Sequence, residues 1–377
     1  MLRPVQASDV IVVGGGVIGC AVTHALLAEG LHVGLVERDV LGAHASSAAA
    51  GMLAPLAESG GEGPLFELGL PALEGFPARV EALRESSGID PGLVLDGLVR
   101  LRDKQSPATL PARLRELAVE AWDALDLRRH VPGLGADLET ALYSPREGSV
   151  DPVALTRAYA EAVSRAGARI ETGNPVLDLL WSGDRVTGVR TRQGDRASGA
   201  VVWCTGAWAG RALGALPGLG VEPVKGQMLA VRPTRPRAGP ILWADAVYLV
   251  PRPSGQVRVG ATVERVGFDA SPTLGGVLAL ARAAASVLPE LAGSRFDSTW
   301  AGLRPGTRDG LPLVGPHPAR EGLLVAVGHD RNGILLSERT GRWVADMLLR
   351  PGRPAPEWSL LDPSRFARVE AGSGAAT

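Results

Sequence analysis

The sequence predicts an α/β fold: a parallel sheet flanked by helices, interrupted by an α+β part built on an antiparallel sheet. Three observations carry this. After Asp9, the run Val10-Ile11-Val12-Val13 leads directly into Gly14-Gly15-Gly16-Val17-Ile18-Gly19, which reads as strand, tight turn and helix. A second strand, Leu31 to Val36, closes on Glu37, and Val201-Val202-Trp203-Cys204 is a third strand of the fully buried type. Residues 217–300 turn strand-rich and lose the strand–helix alternation, as an antiparallel sheet requires.

The elements follow in order. Ile18, Val22, Ala25 and Leu26 keep helical spacing, so the first helix runs from about Val17 to Glu29 and stops at Gly30. Leu41 to Leu53 is a run of small residues that lets backbone approach a ligand closely. Residues 54–64 read as loop and 65–86 as helix. Gly97 to Arg102 is a short strand, and Leu114, Leu117, Ala121 and Leu125 predict one amphipathic helix from Leu110 to Leu125. Asp151-Pro152 is an N-cap followed by a first-turn proline, opening a helix to about Arg165. Strands follow at Arg169–Glu171, Val176–Trp181 and Val186–Arg192. Further on come strands at Met228–Arg232, Ala246–Arg252 and Gln256–Thr262, then a helix at Leu274–Leu288. Asp309 to Val327 is strand and turn, and Gly328–Gly333 leads into a final helix, Ile334 to Leu349. Ala371–Thr377 reads as disordered. The expected division assigns 1–85, 145–215 and 300–365 to the parallel-sheet domain, 86–144 and 216–299 to the antiparallel one, and 366–377 to a flexible tail.

Composition narrows the function. A chain of 377 residues holds two to three domains. The formal net charge of -1 carries no basic excess, which argues against nucleic acid. No apolar stretch approaches the ~20 residues of a membrane span, and Arg3 and Asp9 ahead of the glycine turn do not make a signal peptide. The cysteines, Cys20 and Cys204, sit in apolar segments without metal or redox spacing, so they read as buried free thiols in a reducing, cytoplasmic compartment. No metal site is expected. Lys104 and Lys225 are the only lysines, a coding bias rather than a functional signal.

Gly14, Gly16 and Gly19 fill the G-x-G-x-x-G pattern of a Rossmann-like dinucleotide-binding unit. The glycines permit the turn, close approach of backbone to a diphosphate and tight helix packing, and the helix N-terminus points free N–H groups at the anion. Glu37 lies eighteen residues after Gly19, where a carboxylate accepts hydrogen bonds from a ribose diol. A small-residue segment, long helices and a late second glycine turn follow Glu37 in place of further βαβ units, which suits FAD rather than NAD. Arg38 admits two other readings, a clamp for the 2′-phosphate of NADP or a solvated surface charge; Glu37 would repel such a phosphate.

Several stretches coincide with one family. They are Ser46 to Leu53, Val224-Lys225-Gly226-Gln227, Tyr248 to Arg252, Val259-Gly260-Ala261-Thr262, Trp300 to Thr307, Asp309-Gly310, Gly328-His329 and Arg331 to Leu336. On these the chain resembles the glycine oxidases of bacterial thiamine biosynthesis, within the D-amino-acid oxidase and sarcosine oxidase superfamily. The resemblance implies FAD contacts at Val17, Ile18, Glu37, Arg38, Ala45 and Ser46. It implies others at Ala50, Gly51 and Met52, at Val176, and along His329, Asp330, Arg331, Asn332, Gly333, Ile334 and Leu335. It implies substrate contacts at Arg304, Tyr248 and Arg331. Trp243 stands where the family commonly has a tyrosine and alters a pocket wall; Val263 stands where a methionine is familiar. Relatives of the sarcosine oxidase type bond flavin to a cysteine near the position of Leu303 and Arg304; neither Cys20 nor Cys204 fits, so noncovalent FAD is expected.

Read alone, Arg304 between Gly302 and Pro305-Gly306 is either a salt-bridge arginine or a guanidinium projecting from a turn to grip a carboxylate. Tyr248 is either core or a cap over the same pocket, and His329 reads as structural, so no general base is assigned. The expected reaction takes glycine, and also sarcosine and small D-amino acids, to the imine and then glyoxylate and ammonia. Dioxygen becomes peroxide, and the imine feeds thiazole synthesis. A D-amino-acid or sarcosine dehydrogenase or oxidase unconnected with thiamine is the alternative. Relatives suggest a homotetramer.

Overall fold

The computed structural model describes residues 8–102, 111–210, 219–351, 353 and 355–366. Its first sheet has the strand order Leu313–Pro316, Leu323–Val327, Gly194–Trp203, Ser8–Val13, Val33–Val36, Arg169–Glu171. All neighbours pair in parallel except the first two, which are antiparallel. An antiparallel hairpin, Val176–Ser182 with Arg185–Thr191, extends from Gly194–Trp203 and covers one face with Leu179, Val186 and Val189. Helices Val17–Ala28, Pro64–Ser87, Pro152–Arg165 and Gly333–Leu349 cover the other face around Val12, Leu26, Leu35, Phe76 and Leu336. Near-continuous apolar strands follow from burial on both faces.

The second sheet has the order Arg295–Gly306, Glu222–Arg232, Val257–Gly260, Val247–Pro251, Ile241–Ala244, Leu98–Arg102, Thr140–Ser144, Glu120–Trp122. It is antiparallel throughout except where Ile241–Ala244 meets Leu98–Arg102. Leu280, Ala284 and Val287 of helix Leu274–Val287 pack into its core.

Capping chemistry explains several boundaries. Asp151 Oδ1 accepts from Val153 N–H (2.9 Å) and Ala154 N–H (3.0 Å) ahead of Pro152, as an N-cap should. Gly30 adopts φ +82° just past the first helix, and Gly88 adopts φ +72° just past Pro64–Ser87.

Three expectations need correction. Residues 54–64 are not loop throughout: Pro55–Ser59 is a five-residue helix. Such a helix is too short to show periodicity, and its N-terminus is capped from far along the chain. Leu56 N–H (2.6 Å) and Ala57 N–H (3.3 Å) both donate to Glu147 Oε1. The single helix expected over 110–125, whose first residue lies outside the described ones, is two helices with a strand between: Ala112–Glu116, Glu120–Trp122 and Ala124–His130. Ala118 at φ +59° breaks the first helix, strand pairing with Thr140–Ser144 claims 120–122, and the Asp123 capping box starts the second helix. Leu125 is accordingly 75% exposed instead of sharing a buried face with Leu114. Finally, Arg304 stands in a strand rather than a turn, paired with Val224, and a boundary at residue 300 falls inside that strand. The tail from 367 to 377 lies outside the described residues.

Candidate active site

Two connected cavities run along the join between the sheets. The outer, about 510 Å³, is lined by Gly14, Gly16, Glu37, Arg38, Val176, Thr205 and Trp208 among others. The inner, about 140 Å³, is lined by Val17, Ile18, Ala50, Gly51, Met52, Glu58, Met228, Tyr248, Arg304, His329, Asp330, Arg331, Gly333 and Ile334 among others. Gly16, Ala45, Ser46, Cys204 and Gly206 border both, so the two cavities adjoin at the glycine turn.

The turn tolerates no side chains where it is tightest. A Cβ on Gly19 would lie 1.8 Å from Gly14 O, and one on Gly14 would lie 2.4 Å from Cys204 O. Gly19 is therefore a packing residue and borders neither cavity. Ser46 Oγ accepts from Val17 N–H at 2.9 Å, bringing the small-residue segment against the helix start. Glu37 is buried, with Gly15 N–H donating to Oε2 (2.6 Å) and Asp39 N–H to Oε1 (2.8 Å). Those backbone bonds fix its carboxylate at the rim of the outer cavity. Arg38 lies 3.8 Å over the Trp208 ring and 3.1 Å from His44 Nε2, so it is held rather than free in solvent.

Arg304 occupies the inner cavity. Its Nη1 donates to Thr262 O at 3.1 Å. Beneath it, Gly226 leaves the room it needs: a Cβ there would lie 2.3 Å from Arg304 Nη2. Tyr248 is buried, its hydroxyl donating to Met228 Sδ at 3.3 Å, and burial raises its pKa. Arg331 Nη2 pairs with Glu58 Oε2 at 2.8 Å; the Glu58 side chain is 6% exposed. Burial, opposed by Arg331, pushes Glu58 up to about 7. Trp243 does not border the cavity; it packs 5.6 Å from the Tyr248 ring with Arg331 Cζ 5.6 Å above it, so it acts on the wall from behind.

The last helix starts at Gly333, and its N-cap residue, Asn332, makes no side-chain cap. Its free N–H groups and the positive end of its dipole face the inner cavity at Gly333 and Ile334. Asn332 and Leu335 border neither cavity, and Leu335 belongs to the core. His329 is buried, its Nε2 2.9 Å from Thr340 Oγ1, and burial pushes its pKa down to about 3, so it is a neutral structural group.

An FAD fits what these residues leave unsatisfied. Thr205 Oγ1 and Trp203 Nε1, in residues lining the outer cavity, are buried without hydrogen-bond partners. Two helix N-termini border the same path: the one at Gly333 has no side-chain cap, and the one at Val17 has none from Gly16, though Val17 N–H itself is taken by Ser46 Oγ. The residues that would hold FAD are Glu37, Thr205 and Val176 at the adenosine end, the glycine turn and Ser46 at the diphosphate, and Gly333–Ile334 at the ring.

Adjoining cavities past a dinucleotide turn, the inner one holding a guanidinium, define a dinucleotide-dependent oxidoreductase. The chain belongs to the FAD-dependent oxidoreductase family, described as "DAO: FAD dependent oxidoreductase", which matches residues 9–347. It is 39% identical over 355 residues to the glycine oxidase of Geobacillus kaustophilus, covering 91% of this chain and 93% of that one. It is 35% identical to the bifunctional protein ThiO/ThiG of Synechocystis over 95% of this chain and 54% of that protein. The crystal structure of the Geobacillus kaustophilus glycine oxidase superposes with a TM-score of 0.88 at 36% identity, over 96% of this chain and 99% of that one.

The sequence reading missed Glu58, Gly226 and Met228. Glu58 sits in the segment 54–64, which reads as loop, and nothing local marks it. Gly226 lies in a quoted motif, but its role appears only when Arg304 is placed above it.

Proposed function

We propose that the protein oxidises glycine, with sarcosine and small D-amino acids as further substrates, giving glyoxylate, ammonia and hydrogen peroxide. The carrying observation is Arg304, presented by a strand into a small cavity floored by Gly226 at the end of the FAD path. When bound, FAD supplies the acceptor for the substrate hydride and passes the electron pair to dioxygen. Arg304 holds the substrate carboxylate by paired charge-assisted hydrogen bonds. Tyr248 and Met228 wall the cavity and limit substrate size. The Gly333 helix end favours negative charge developing on the ring side of the cavity. His329 takes no proton, being neutral and tied to Thr340. The imine product hydrolyses to glyoxylate or feeds thiazole synthesis, a role the ThiO/ThiG relative supports.

We further place the enzyme in the cytoplasm as a homotetramer, and divide the chain into an FAD part (1–85, 145–215, 307–365) and a substrate part (86–144, 216–306), the last boundary moved from residue 300 to the end of strand Arg295–Gly306. Two buried free cysteines support a reducing compartment, and no described helix is long and apolar enough to cross a membrane. The test is anaerobic flavin reduction by glycine, sarcosine, D-alanine and D-proline, followed by air and a peroxide assay. Glycine should bleach the flavin and air restore it with peroxide. Reduction by D-proline or sarcosine alone, or no peroxide, would favour the dehydrogenase or oxidase alternative.

A further inference from the structure

We infer that Glu58 recognises the amino end of the substrate: Arg331 holds one carboxylate oxygen, and the other accepts from the substrate ammonium. The inference rests on the inner cavity being an amino-acid site. Four charged side chains border that cavity: Glu58, Arg304, Asp330 and Arg331. An α-amino acid enters as a zwitterion and needs a partner for each end. Arg304 is the cation, and Glu58, with a side chain 6% exposed and paired with Arg331, is the carboxylate. A buried carboxylate is costly unless paired, and the Arg331 contact at 2.8 Å supplies that pairing through Oε2. Oε1 has no hydrogen bond to the protein among the described residues.

The pair also sets the charge the cavity offers. With Arg331 neutralised by Glu58, Arg304 remains to match one carboxylate. Without Glu58, two guanidiniums would stand against the single carboxylate of Asp330, and the site would favour more anionic ligands. Glu58 therefore works twice. It accepts from an ammonium, and it denies a second anion its counter-charge. An α-hydroxy acid of the same shape can donate one neutral O–H to that oxygen but lacks the ammonium's charge, so it loses the charge-assisted part of the interaction.

The experiment is anaerobic calorimetric binding to FAD-loaded protein whose flavin has first been reduced with dithionite, so that ligands bind without turnover. The probes are glycine and glycolate, which differ in ammonium against hydroxyl. Wild type should prefer glycine by about tenfold or more, the scale of one charge-assisted hydrogen bond. Glu58→Gln should remove most of that preference by weakening glycine, with glycolate held or tightened. Should Glu58→Gln not load FAD, Glu58→Asp replaces it and should lose about threefold or more of the preference through its shorter reach. An unchanged preference in the variant that loads would make the pair structural and overturn the inference. Wild type that binds neither probe would overturn the amino-acid site itself, a result distinct from a variant with wild-type preference.

Discussion

Arg304 could be picked out from the residues around it only with the family pattern beside it; alone, a guanidinium between glycines is as well read as a salt bridge. The structure adds the reason it is positioned. Gly226 lies where any Cβ would come within 2.3 Å of the guanidinium, so the site is built of two residues rather than one. Gly226→Ala should push Arg304 off its carboxylate geometry, raising KM for glycine about tenfold or more while FAD content stays at the wild-type level. Steady-state kinetics beside flavin absorbance check this; an unchanged KM would mean that the guanidinium has slack. Glu58 was illegible because its significance comes from a partner, Arg331, 273 residues away in sequence.

At the scale of elements, the parallel strands and the long helices were legible because their apolar periodicity and caps are local. The five-residue helix Pro55–Ser59 was not, because the carboxylate that caps it, Glu147, comes from another segment. Glu147 is 1% exposed, and its Oε2 has no partner. Burial pushes its pKa up to about 8, with the nearby Glu58 adding to the rise. A carboxyl raised in the fold binds its proton more tightly there than in the unfolded chain. Stability is therefore retained below the ordinary carboxylate pKa of about 4.5 and lost as pH climbs toward 8, at up to ~1.4 kcal/mol per pH unit. Glu147→Gln keeps an oxygen for Leu56 and Ala57 N–H without the charge. Its melting temperature relative to wild type should rise between pH 5 and 8. A difference that stays constant with pH would show that Glu147 is not the titrating group. The expected helix over 110–125 failed for a related reason: its leucines suit one amphipathic face, but pairing of Glu120–Trp122 with a distant strand outweighs helical propensity.

For the whole molecule, a parallel-sheet part interrupted by an antiparallel one was legible from the glycine turns at each end of the chain and the strand-rich stretch 217–300 between them. The layout of the antiparallel sheet was less so, since Ile241–Ala244 and Arg295–Gly306 are strands defined by their partners. Cys20 and Cys204 are both buried free thiols whose pKa values burial raises, Cys20 to about 12. Neither should attack FAD, so acid precipitation should release all the yellow colour to the supernatant; colour kept in the pellet would mean a covalent link. The central claim joins both sheets: a strand of one presents Arg304 to the end of the cavity that starts at the glycine turn of the other. The most direct test titrates glycine anaerobically into FAD-loaded wild type and Arg304→Leu and follows the visible flavin band. Wild type should bleach, and Arg304→Leu should hold FAD yet need about tenfold to a hundredfold more glycine, the loss of a charged hydrogen-bond pair. Equal glycine dependence in the two proteins, or no bleaching of wild type, would contradict the account.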